Sequence, residues 1–183
     1  AVKMMRAFVK KRRVPDCSLC VEVAYLDIDQ MRSTFTELAT LLLGNAKQAK
    51  SFMSKAKLHS MEELEDSWWN LYEKLLSTGR AVELSLKIEL EDFLYNVQKL
   101  IHNKNLSTDE NLTDDVSIDT AAFDDSQCIG DWCAHLNSTW KNHKLVGMDI
   151  GTDSLVLMVL SNEEFKTAQE LAKELLHRID VAE

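Results

Sequence analysis

Chain breakers are nearly absent from this sequence: five glycines and one proline are spread over 183 residues. Proline removes an amide donor and glycine supplies the left-handed conformations that tight turns need, so strand-and-turn architectures consume both. A chain this poor in them is driven towards helices, with room for only a small sheet. The few breakers then act as punctuation. Pro15 closes a basic head, Gly44 and Gly79 follow apolar helical stripes, and Gly151 falls between two strand-like runs.

The length favours one compact domain, large enough to bury a core without disulfides or a metal. Hydrophobic residues at 45% and charged residues at 28% are globular values that argue against wholesale disorder. No stretch approaches the roughly 20 apolar residues of a membrane span. No apolar segment follows Arg13, so the basic head does not read as a secretory signal. Four cysteines in a chain that needs no staples are expected as reduced thiols in a cytoplasm. The N-x-S/T triplets at Asn105, Asn111 and Asn137 are then read as coincidental.

Periodicity sets the element order. Met31, Phe35, Leu38 and Leu42 mark a helix that Gly44 ends, and Ala46, Ala49, Phe52, Met53 and Ala56 mark a second with a thinner apolar face. The segment from Leu19 to Ile28 fits both periods. Ser60 and Glu63 form a capping box opening a helix through Leu64, Trp68, Leu71 and Leu75. Val82, Leu84 and Leu86 alternate as a strand, and Leu90, Phe93, Leu94, Val97, Leu100 and Ile101 line the next helix. Ile129, Trp132, Cys133, Leu136 and Trp140 restore the helical period after a long aperiodic stretch. Val146, Met148 and Ile150 alternate, and the apolar run Leu155–Leu160 suits a strand covered on both faces. Asn162 is placed to cap a final helix through Phe165, Ala168, Ala172, Leu175 and Ile179. The expected fold is α+β and helix-rich, with a small, mostly antiparallel sheet (strands near 81–87, 144–150 and 154–160) covered by helices. Residues 1–18 form a basic segment, and 19–183 a single domain with an acidic loop at 104–125.

Charge is the next constraint. Residues 1–13 hold six of the 21 basic residues and no acid, leaving 15 basic against 30 acidic in the remainder. Net acidity argues against nucleic acid or an anionic membrane as partner. The Lys10–Arg13 run has no interleaved aromatics for stacking bases; it reads as a solvated tail or as a segment docking on the acidic body of its own fold. Asp109, Glu110, Asp114, Asp115, Asp124 and Asp125 lie in the acidic loop, which lacks the regular spacing and turn glycine of a calcium loop. It reads as a mobile solvated loop or as the docking site of a basic protein.

Other chemistry is sparse. Cys17 and Cys20 have C-x-x-C spacing, a weak candidate for zinc or redox work. Cys128 and Cys133 would point about 140° apart on one helix, awkward for completing a four-thiolate site. Asp149 and Asp153 flank a turn; with Trp132 they are a candidate ligand site, against the simpler reading of turn-forming side chains. The histidines at 59, 102, 135, 143 and 177 are scattered, with His102 and His177 in last helical turns. Phosphate loops, dinucleotide fingerprints and nucleophile elbows are missing from the sequence, and no catalytic residue or cofactor is indicated. Trp68 and Trp69 point about 100° apart on their helix, so one indole is expected at a partly exposed surface, as an interface anchor.

The segments LLSTGRAVELSLKIELEDFLYNVQKL (75–100) and LVGMDIGTDSLVLMVLSNEEF (145–165) resemble an uncharacterised bacterial family of small α+β domains, from about Leu64 onward. The resemblance implies no catalytic residue and offers no counterpart for the first 60 residues. By analogy of composition and fold alone, the chain is also similar to bacterial immunity proteins, which bind and block a toxin. The leading expectation is a protein-interaction module, of which an immunity or inhibitor type is one form, using an acidic surface with Trp68 or Trp69. The alternative is a small-molecule-binding domain or enzyme with its site near the 149–153 hairpin, and a lesser one a zinc- or redox-responsive regulator through Cys17 and Cys20.

Overall fold

The computed structural model describes residues 28–56, 58–104 and 116–183. Helix α1 (Ile28–Leu43) buries Met31, Phe35, Leu38 and Leu42 at the expected spacing. It stops where Gly44 takes φ +59°, a conformation that costs an L-residue with a Cβ roughly 1–2 kcal/mol. Helix α2 (Ala46–Met53) is capped by Asn45, whose side chain accepts from the amides of Lys47 and Gln48, and it buries Ala49 alone. Helix α3 (Met61–Ser77) starts at Ser60, which accepts from the Glu63 amide at 3.2 Å. The Glu63 carboxylate returns to the His59 amide at 2.7 Å, one residue outside the ideal box.

Strand β1 (Val82–Ser85) is shorter than its alternation suggested. The amide of Ile88 bonds back to the Ser85 carbonyl, which turns the chain out of the sheet. Leu86 consequently lies 57% exposed rather than on the buried face. Helix α4 (Leu90–Asn103) follows, then a short 3-10 turn (Thr120–Ala122), helix α5 (Ile129–Thr139), strand β2 (His143–Met148) and strand β3 (Ser154–Ser161). Helix α6 (Asn162–Glu174) is capped by Ser161, not Asn162. Ser161 accepts from the Glu164 amide at 3.2 Å and Glu164 accepts from the Ser161 amide at 2.7 Å, a complete capping box. Asn162 instead ties the helix start to the segment before β2, donating through its amide and its side chain to the carbonyls of Asn142 and Lys141.

The predicted continuation of this helix to Ile179 does not occur. Leu176 adopts φ 62°, and the amides of Leu176 and His177 bond back to Lys173 and Ala172 in a Schellman-type close. Ile179 then opens a fourth strand, β4 (Ile179–Val181). The sheet order is β1-β3-β2-β4, with every pair antiparallel and the β2–β3 hairpin at the centre.

The all-antiparallel sheet with its helices makes the fold α+β, and both faces of the sheet are covered. Val146, Met148, Val156, Met158 and Leu160 face a core built with α1, α2, α3 and α6. Leu145, Leu157 and Val159 face a second core with α4 and α5. The apolar run in β3 follows from this: its side chains alternate between two hydrophobic layers, and neither can be polar.

Candidate functional site

The most distinctive surface lies on α3. Leu64, Trp68, Leu71 and Leu75 point into the first core, with Trp68 only 1% exposed. The 100° turn to the next residue carries Trp69 to the outside, where it is 40% exposed. Only Trp69 remains available of the two tryptophans expected as docking residues, because Trp68 is sealed by the stripe it belongs to. On the outward face Trp69 neighbours Glu65, Asp66 and Glu73 at helical spacings of four, three and four residues, with Glu62 one turn further back.

The indole has a firm support. Tyr72 meets it edge to face, with centroids 5.5 Å apart and planes at 85°. The Tyr72 hydroxyl donates to Glu83 on β1 at 2.6 Å. Burial, then the Glu83 hydrogen bond and the charges of Glu83 and Glu73, push the phenol up to about 12. The same bond, helped by Ser154, holds Glu83 below the usual carboxylate range. Trp69 is thus braced through Tyr72 against an edge strand, which lowers the entropy a partner would have to supply to order it. On the other flank of α3 an open groove runs towards α2, lined by Phe52, Lys55, Asn70, Glu73 and Lys74.

The hairpin turn is a local structure. Asp149 Oδ1 accepts from the Gly151 amide at 2.9 Å, its amide donates to Arg178 O at 3.0 Å, and its carbonyl accepts from Trp68 Nε1 at 2.9 Å. Asp153 is exposed at the far side of the turn. Trp132 does not join them: it packs in the second core, 5.4 Å from Phe93, on the opposite face of the sheet. The aromatic partners of this turn are Trp68 and His177, stacked at 4.1 Å and 7°. His177, expected in a last helical turn, follows the α6 close and lies 3.9 Å from the Glu65 carboxylate.

The acidic loop is described from residue 116 onward. Trp140 Nε1 donates to Ser117 O at 3.3 Å and Trp132 Nε1 to Asp124 O at 3.0 Å, which ties two points of the chain to the α5 region, while residues 119–122, Asp124 and Asp125 stay exposed. Ser126 donates its amide to Asp124 at 2.8 Å and holds that carboxyl below its ordinary range. Asp124 lies beside Trp132 of the second core, whereas Trp69 follows Trp68 of the first, on the helix that covers the other face of the sheet. Asp109, Glu110, Asp114, Asp115, Cys17, Cys20 and the Lys10–Arg13 run lie outside the described residues.

Other polar contacts tie elements together. Lys104 Nζ donates to Val159 O at 2.9 Å and pairs with Glu164, tying the end of α4 to the start of α6. Burial pushes Lys104 down in spite of that partner, whereas the Lys104 and Ser161 hydrogen bonds pull Glu164 down against its burial. Cys133 is buried, its thiol pushed up to about 12. Cys128 is exposed at the start of α5, its thiol and amide each donating to Asp131 at 3.1 Å. Among the described residues, no group of three or more His, Cys, Asp or Glu is placed to hold a metal ion, and no helix is long and apolar enough to cross a membrane.

Sequence reasoning placed the acidic surface in the loop and overlooked the acids of α3. Their signal was present in Glu62-Glu63-Leu64-Glu65-Asp66-Ser67-Trp68-Trp69, where polar positions off the apolar stripe are nearly all acidic. No curated protein and no solved structure matches the chain. A family model matches residues 27–182, and so takes in α1 and α2, for which the resemblance had offered no counterpart. The chain therefore belongs to that family, a domain of unknown function (DUF6630).

Proposed function

We propose that this protein is an interaction module that docks a basic protein on the outward face of α3, with Trp69 as its anchor. The observation that supports this is one half-exposed, braced indole set among Glu65, Asp66 and Glu73. Tryptophan leads the residue types that dominate interface energies. Covering the 40% of Trp69 that is exposed removes on the order of 100 Å² from water, worth about 2.5 kcal/mol. The surrounding carboxylates would steer a cationic partner and set its orientation more than they add affinity. An immunity-type inhibitor, masking a cationic surface of its target, is the form of this function that the overall acidity favours. The reading puts the protein in a bacterial cytoplasm, where the free thiols of Cys128 and Cys133 would stay reduced.

The test is fluorescence anisotropy with a labelled arginine-rich peptide at low and physiological salt. Trp69→Ala should weaken binding about tenfold or more, and the pair Glu65→Lys with Asp66→Lys should abolish its salt dependence. Asp125→Asn, in the acidic loop, should leave it unchanged. Equal affinity in the wild type and Trp69→Ala would remove the anchor and the proposal with it.

A further inference from the structure

We propose that His177 is a proton-operated latch: on taking up a proton its imidazole closes on Glu65 and fastens the end of α6 and strand β4 to α3. The ring lies over the face of Trp68, centroids 4.1 Å apart and planes within 7°, and its buried Nε2 is 3.9 Å from the Glu65 carboxylate. That separation is longer than a hydrogen bond. A neutral imidazole donates through one nitrogen and accepts through the other, whereas the cation donates through both. A carboxylate can only accept, so protonation turns a near contact into a charge-assisted bond. The Glu65 side chain is 57% exposed and has room to close, and the indole face beneath the ring attracts the same positive charge.

The elements packed around the ring bring further charges. On α3, Glu62 stands one turn before Glu65. In the turn between β2 and β3, the Asp149 carboxylate accepts from the Gly151 amide, and Asp153 is exposed on the far side. Just past the ring, Arg178 pairs with Asp180 at 2.8 Å. In the last turn of α6, Glu174 accepts from the Thr34 hydroxyl, and Lys173 is exposed. The carbonyls that end α6 add a negative potential beside His177, whose own amide bonds to Ala172 O at 2.8 Å.

The latch has something to hold. Leu176, one residue before it, sits at φ 62°, a conformation that a residue with a Cβ keeps only where its surroundings impose it. Strand β4, two residues after it, is three residues long and pairs with β2 alone. Asp149 couples the two sides, donating its amide to Arg178 O and accepting from Trp68 Nε1 at its carbonyl. Losing the proton therefore loosens a strained hinge, a short edge strand and the 149–153 turn together. The stabilisation is complete once the imidazole is protonated and is lost as the pH rises through its midpoint.

The test is NMR on the full chain, with the His177 imidazole titrated and backbone amide exchange followed between about pH 8 and pH 5. In wild type, exchange at Ile179–Val181 and at residues 149–153, corrected for the intrinsic effect of pH, should slow severalfold as the imidazole protonates. Glu65→Gln, at an exposed position, should move the His177 midpoint down by about half a unit and remove most of that slowing. His177→Gln should leave the corrected exchange of both segments flat across the range. An unchanged midpoint in Glu65→Gln overturns the inference, and so does corrected exchange in wild type that does not change with pH. No partner takes part in the measurement, so either failure leaves the docking of a basic protein on α3 untouched.

Discussion

Asn137 offers the sharpest quantitative check on the structure. Its side chain, buried at the end of α5, donates to Leu145 O at 3.0 Å and to Ala182 O at 2.9 Å, and accepts from the Leu145 amide at 2.8 Å. One amide thereby joins α5, the central strand β2 and the chain beyond β4. In Asn137→Ala, Leu145 O keeps its bond from the Ala182 amide at 3.0 Å, but the Leu145 amide and Ala182 O lose these partners inside the protein. Each stranded buried group costs about 1–3 kcal/mol, so a loss of about 3 kcal/mol is expected, with the remainder recovered by entering water. With a urea slope of about 2 kcal/mol/M, the unfolding midpoint should fall by roughly 1.5 M at unchanged slope. Asn137→Asp sharpens the test. The carboxylate can still accept from Leu145, but it faces two carbonyl oxygens, so its folded pKa must rise. Its folded form then binds protons that the unfolded form does not, and stability should recover as the pH is lowered towards the ordinary carboxylate range. A loss below 1 kcal/mol for the alanine variant, or a neutral-pH stability of the aspartate variant equal to wild type, would refute the clamp.

Gly79 has φ +67°, and a Cβ there would run into the Asn103 amide that donates to its carbonyl at 3.0 Å; Gly79→Ala should cost about 2 kcal/mol, seen as a melting temperature lower by about 6 °C. Trp68→Phe removes the bond to Asp149 O and part of the stack on His177, and should cost about 2 kcal/mol while speeding amide exchange at the 149–153 turn. Tyr72 has its pKa raised from 10.0 to about 12, so between those values the folded state holds a proton that the unfolded state has lost; the contribution is complete below pH 10 and disappears as the pH climbs through 12. Glu83 behaves in the opposite sense, its contribution present above 4.5 and lost as the pH falls through its lowered folded value. Denaturation series at both extremes should show these slopes in wild type and reduced slopes in Tyr72→Phe.

The helices were legible wherever a stripe ended in a signal the backbone obeys. Gly44 and Gly79 take positive φ where α1 and α3 end, and Ser60 caps where the box predicted. The same box rule, applied at Ser161 and Glu164, would have moved the cap of α6 back by one residue. Strand β4 was hidden for a physical reason. Leu171, Ala172, Leu175 and Ile179 continue a helical period, and the residue that breaks it is Leu176, at a φ normally left to glycine. Losing that break also hid the Trp68–His177 stack, since no local pattern relates side chains so distant in sequence. For Trp132, periodicity showed that the residue was buried but not on which face of the sheet, and that choice separated it from Asp149. At Trp68 and Trp69 the helix stripe already decided which indole was inside.

The central hairpin serves as a party wall between two tenants. Val156, Met158 and Leu160 belong to one core and Leu155, Leu157 and Val159 to the other, so consecutive positions of β3 answer to different neighbours. A single-residue insertion or deletion inside this strand would hand each core the side chains shaped for the other, and neither could compensate alone. Length changes should therefore accumulate in the connections, and β3 should vary only by substitution. The helices on one side can drift as a set only as far as the hairpin, held in place by the other side, allows.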